Sequence, residues 1–146
     1  MADRTGSQSR GMGGGLPPTS SAYLSKARAA LAGAELELAN ALYNNVLNRA
    51  YYACYQAAVA ALVAEGVVPE PENYWPHDMV QARFAELCID ELGRYPRSMR
   101  ATLKATFDER LKADYEPDLI DAATASEGVR RAQAFVGVVA SCLGSR

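Results

Sequence analysis

Residues Asn48 to Leu62 read NRAYYACYQAAVAAL, an alanine-rich run punctuated by three tyrosines, a cysteine and an arginine. Alanine is the strongest helix former, and helices lined with small side chains can lie close together. Arg49, Tyr51, Tyr52 and Tyr55 are different: they carry large groups with polar tips, which packing alone does not require. A fold for this chain must surround the helix with close neighbours and also give those four tips somewhere to go.

The rest of the sequence limits what those neighbours can be. A chain of 146 residues, 49% of them apolar, fits one domain with a sizeable core. Its 15 basic and 17 acidic side chains leave a formal charge of -2, so no global field draws it to nucleic acid or to an anionic membrane. Any such binding needs a local patch. No apolar run approaches the roughly 18 residues of a membrane span, and the N-terminus lacks the order of a signal peptide, so a soluble cytoplasmic protein is expected. Cys54, Cys88 and Cys142 lie far apart with no CxxC pair, and a single histidine cannot complete a metal set with them. Buried free thiols are expected, with no metal and no cofactor.

Residues 1–20 are dense in glycine, serine and proline and are expected to form a disordered tail, leaving residues 21–146 as the folded unit. From Ser20 the periodicity turns helical. Leu24, Ala27, Leu31, Ala34, Leu38 and Leu42 draw one apolar stripe, with Thr19 to Ser21 expected to cap it and a break at Tyr43-Asn44-Asn45. The tyrosine-rich helix follows, over about Asn45 to Ala64, and stops at Gly66. After a proline-rich loop, a third helix opens at Pro76 or His77, with Met79, Val80, Phe84, Leu87, Cys88 and Leu92 on its stripe, and ends at Gly93. A fourth runs from Ser98 to about Lys112 with Leu103, Phe107 and Leu111 in register. Thr124 and Glu127 fit a capping box for a last helix to Leu143, burying Val129, Ala132, Phe135, Val136 and Val139. Five helices and no alternating strand pattern make an all-α bundle.

Several of these elements together resemble the HEPN domain. Arg-Ala-Tyr-Tyr-Ala from Arg49 to Ala53, a histidine opening the third helix at His77, Arg110-x-x-Ala-Asp-Tyr closing the fourth, and Ala-x-x-Phe-Val from Ala132 to Val136 occur in the order found in short stand-alone prokaryotic HEPN proteins. The resemblance covers about Ser21 to Leu143. It implies a four- to five-helix up-and-down bundle that forms a homodimer, acting as the toxin-like partner of a minimal nucleotidyltransferase antitoxin, with RNA or a nucleotide as ligand. Active members are metal-independent endoribonucleases, whose signature is an arginine followed after four to six residues by a histidine. Such cleavage needs a group to manage the proton of the 2′-hydroxyl and a cation to stabilise the phosphate transition state.

Here Arg110 matches the arginine, but Tyr115 stands where the histidine is expected. Tyrosine, with an ordinary pKa near 10, is a poor base at neutral pH. On the resemblance, Arg110 would stabilise a phosphate while Tyr115, with Asp114 beside it, orients the substrate; Tyr115 is also the candidate for a nucleotidyl acceptor. Arg110 and Asp114 equally form a plain i,i+4 ion pair. His77 either caps or packs at a helix start beside Trp75 or lends its ring to a cleft rim. Arg49, Tyr52 and Tyr55 either line a cleft or tie helices together through their tips, and Lys112 is a further candidate for substrate contact. Arg97, Arg100 and Lys104 share one face of the fourth helix and are the one basic patch, either a solvated face or a surface for RNA or an acidic partner. The alternative to a toxin-like protein is a non-catalytic dimeric binding module.

Overall fold

The computed structural model describes residues 18–116 and 119–145, so the expected tail lies outside the described residues as far as residue 17. The regular elements of the described residues are all helical, with no strand among them. Helix α1 spans Pro18–Ala39, α2 Tyr43–Ala64 and α3 His77–Arg83, which runs straight into a π-helical segment, Phe84–Glu91; α4 spans Ser98–Tyr115 and α5 Ala122–Gly144.

The alanine-rich helix is the axle of this bundle, because α2 touches every other helix. Its small residues Ala50, Ala53, Ala57, Ala58, Ala60 and Ala61 are all buried, and so are Cys54 and Leu62. Residues 57–62 are buried on every side, and a helix can have this many neighbours only if most of its side chains are short. Helix α1 lies along it for the full length of the hairpin that Asn40 to Leu42 close. At the far end, Ser20 Oγ donates to the carbonyl of Ala60 at 2.8 Å within the core. Ser20 is therefore an interhelical tie rather than the expected cap, since the helix already begins at Pro18.

Helix ends follow the backbone chemistry more closely than the apolar stripes do. Helix α2 closes with Gly66 at φ +85°, its N–H on the Val63 carbonyl at 2.9 Å and that of Val67 on the Leu62 carbonyl at 3.1 Å. These two bonds satisfy carbonyls that the helix end leaves open, and the left-handed residue they need is a glycine. The break after α1 comes at Ala41, φ 59°, rather than at Tyr43 to Asn45. Leu42 is consequently thrown off the stripe and is 50% exposed. At α5 the cap is Asp121, whose Oδ1 accepts the Thr124 N–H at 2.8 Å. Thr124 lies inside the first turn, and Glu127 faces Arg131 at 3.5 Å instead of completing a capping box.

The third helix departs from regular periodicity for a visible reason. In the π-helical segment the Leu92 N–H reaches back five residues to the Leu87 carbonyl at 2.9 Å. Each such turn holds more residues than an α-turn, so the inward face drifts along the chain. Phe84, Ala85, Cys88 and Ile89 are buried, while Leu87 is half-buried and Leu92 is exposed, against the expected stripe. The α5 stripe is as expected, with Val129, Ala132, Phe135, Val136 and Val139 all buried. Cys54 and Cys88 are buried, but Cys142 is only half-buried.

Candidate functional site

The tips of the tyrosine-rich helix converge with side chains from α3 and α4. Tyr51 is fully buried, and its hydroxyl is hydrogen-bonded to Nδ1 of His77. Tyr55 donates its hydroxyl to the Trp75 carbonyl at 2.5 Å, which pins the chain just before α3. Trp75 in turn packs edge-on against Tyr23 of α1, with ring centroids 6.2 Å apart. These are the tyrosine ties the sequence allows for. They deliver His77 to the α2 surface, 4.8 Å from the Tyr55 ring and 5.4 Å from that of Tyr51.

Helix α4 contributes the other half. Phe107 lies 5.3 Å from Tyr51 and 5.8 Å from His77, ring centre to ring centre. One turn further on, the Arg110 guanidinium sits 5.7 Å from the Tyr51 ring centre and 5.4 Å from that of Tyr52. Cation–π contact of this kind holds a guanidinium in place without using its hydrogen-bond donors. The Arg110 Nε is buried and has no hydrogen-bond partner among the described residues. Asp114 lies 3.4 Å away and balances its charge without hydrogen-bond geometry. The expected i,i+4 ion pair therefore exists, and the Nε that it leaves without a hydrogen bond is sealed from solvent.

Two grooves flank this cluster, and Tyr52 is a wall of both. One, of about 620 Å³, is lined by polar groups including Asn45, Asn48, Arg49, Glu37 and Asp114. The other, of about 730 Å³, is lined mainly by aromatic residues, among them Tyr55, Tyr74, Trp75, His77 and Phe107. Arg49 lies across Gly33, where an added Cβ would meet its Cδ at 2.9 Å, and pairs with Glu37 at 3.0 Å. The structure thus gathers Arg110, Asp114, Tyr52, Tyr55, His77 and Arg49 around one ridge. Arg110 reaches the grooves only through the Tyr52 ring it rests on, being a lining residue of neither; Tyr115, 80% exposed, and Lys112, likewise exposed, also lie outside both. Tyr51 and Phe107 are the cluster members that the sequence does not single out as site residues. The signal for Phe107 is its spacing of three from Arg110, which places both on neighbouring turns of one helix.

The protonation states follow from burial. Burial raises the Tyr51 phenol well above its ordinary value, with Tyr55 adding to the effect and Arg110 opposing it. Tyr55 is pushed up to about 12, again mainly by burial. His77 is held below its ordinary value, first by burial and then by the charge of Arg110, with Asp78 partly offsetting them. At neutral pH the tyrosines keep their protons and the imidazole is uncharged. A buried hydroxyl needs an acceptor, and the partner of Tyr51 is His77 Nδ1. With the Tyr51 hydroxyl donating to Nδ1, the neutral imidazole would carry its proton on Nε2 and offer a hydrogen-bond donor there. Beside the Arg110 cation, this is an arrangement for holding a phosphate next to aromatic faces on which a base can stack.

Residues 20–142 match the HEPN domain. The chain belongs to the HEPN family. No curated protein matches it. HEPN is a helical fold, and HEPN domains often dimerise. In this HEPN chain Arg110 and His77 both lie against the Tyr51 ring but come from different helices, α4 and α3. Among the described residues, no group of three His, Cys, Asp or Glu side chains is placed to hold a metal ion. Nor is any helix among them long and apolar enough to cross a membrane.

Proposed function

We propose that this HEPN protein is the nucleotide- or RNA-binding, toxin-like half of a pair with a nucleotidyltransferase, working as a homodimer. The observation that carries the reading is the Arg110 guanidinium held on the rings of Tyr51 and Tyr52, beside the Tyr52 ring that walls two grooves. The phosphate would sit against Arg110 and the Nε2–H of His77. A base would stack on Tyr52 or Tyr55. A general base for the 2′-hydroxyl is not supplied by His77 in this tautomer, which favours binding over strong ribonuclease activity.

The test is direct. Purified protein is titrated with uridine monophosphate and with oligouridylate in the presence of chelator, and the RNA is run out for cleavage. Binding without cleavage is expected, weakened roughly 5- to 160-fold by Tyr52→Ala, the range given by about 1–3 kcal/mol of stacking per base. Light scattering should show a dimer. Binding that survives both Tyr52→Ala and Arg110→Ala would remove the site from this reading. Cleavage abolished by Arg110→Ala would make the protein a metal-independent endoribonuclease.

A further inference from the structure

We infer that the polar groove beside Tyr52 reads a guanine base, with Asp114 as its specificity-determining residue. This rests on the nucleotide-binding reading above and adds to it which base is selected and by which side chains. The first observation is the make-up of the groove wall. Asn45, Asn48 and Tyr52 follow at spacings of three and four, so one stripe of α2 carries two amides and an aromatic face along the same groove. Asp114 joins them from α4, and Arg49, paired with Glu37 of α1, completes the lining. At about 620 Å³ the groove has room for a nucleoside.

The second observation is which polar groups remain open. Asp114 balances Arg110 at 3.4 Å without hydrogen-bond geometry, so its oxygens keep their acceptor sites, and its side chain is 34% exposed. Arg49 spends Nε on Glu37 at 3.0 Å, and its terminal nitrogens make no hydrogen bond among the described residues. Asn44, by contrast, uses Oδ1 to accept the Ile120 N–H at 3.2 Å. The third observation is chemical fit. Guanine alone among the four RNA bases presents two adjacent donors, N1–H and the 2-amino group, and a carboxylate accepts both at once. Its other edge presents O6 and N7, which an arginine can bridge. Uracil would set carbonyl oxygens on both sides of its one N–H against the same carboxylate. Adenine and cytosine would each bring a bare ring nitrogen beside the amino group. In all three a lone pair faces the negative charge, and that repulsion supplies the selectivity.

The experiment titrates the full chain, and the Asp114→Ala variant, with the monophosphates of guanosine, inosine, adenosine, cytidine and uridine. The parent should favour guanosine over uridine monophosphate by about 5- to 160-fold, the discrimination of one bidentate base contact. Inosine monophosphate, which lacks only the 2-amino group, should bind the parent more weakly than guanosine monophosphate and bind Asp114→Ala equally well. The substitution also removes the counter-charge of Arg110, so the readout is the ratio between nucleotides rather than any one affinity. Equal affinity of the parent for all of them, or a preference for another base, would overturn the guanine reading and leave the nucleotide site standing. A guanine preference kept in full by Asp114→Ala would overturn the assignment to this groove. A parent that binds none of the nucleotides would overturn the base reading together with the nucleotide-binding reading. A twelve-residue oligouridylate with one central guanosine separates the two sources of the base: tighter binding than to guanosine monophosphate assigns it to an RNA chain, and equal binding to a free nucleotide.

Discussion

Tyr51→Phe tests the centre of the site with the smallest possible change. The substitution keeps a ring that lies 5.9 Å from Tyr55 and 5.3 Å from Phe107 and removes only the hydroxyl bonded to His77 Nδ1. Losing one hydrogen bond costs about 0.5–1.5 kcal/mol. The lower half of that range applies, because the abandoned acceptor belongs to a half-buried imidazole that water can reach. For a domain of this size, about 1 kcal/mol lowers Tm by about 3–5 °C. The more telling readout is nuclear magnetic resonance of the imidazole nitrogens, because the chain has 1 histidine and the signals can belong only to His77. At pH 7.5 the parent should show the Nε2–H tautomer, and Tyr51→Phe should move it toward a tautomer mixture. A parent spectrum with the proton on Nδ1 would refute the reasoning and restore His77 as a base. So would a variant in which both Tm and the imidazole signals stay where they were.

Three further outcomes follow from the same contacts. Arg110→Gln should raise the His77 pKa toward its ordinary value, read from the same signals, because the guanidinium charge is one of the two causes holding it down; an unchanged titration would mean the two groups do not sense each other. Since His77 binds its proton less readily in the folded state, the unfolded chain takes up more protons on acidification. Its contribution to stability should be complete above the unfolded pKa near 6.5 and fall as pH drops through that value toward the folded pKa, seen as declining urea midpoints and blunted in His77→Gln. Gly128→Ala should destabilise by about 1–3 kcal/mol in chemical denaturation, because the new Cβ would lie 2.6 Å from Leu47 Cδ2 inside the α2–α5 contact.

The site was only partly legible in the sequence. Arg110 and Asp114 could be paired, and Tyr52, Tyr55 and Arg49 placed near a cleft, because residues three or four apart share a helix face. Tyr115 was chosen by its position after Arg110, yet five residues along a helix correspond to about 140° of rotation, which points its side chain away from that of Arg110. His77 lies 33 positions before Arg110, and no periodicity relates two residues on separate helices. The third stripe went astray at the π-helical turns, where the assumption of 3.6 residues per turn fails.

The sequence by itself determined the five helices, the glycine stop after Ala64 and the core face of α5. These are local matters: backbone freedom at glycine, hydrogen bonds within a few residues, and the spacing of apolar side chains. Only the tertiary structure decided that α2 is the axle, that Tyr51 and Tyr55 tie down the start of α3, and that His77 meets the rings under Arg110. Those outcomes depend on which helices lie against each other, which is fixed by packing around small side chains and by hydrogen bonds between residues distant in the chain.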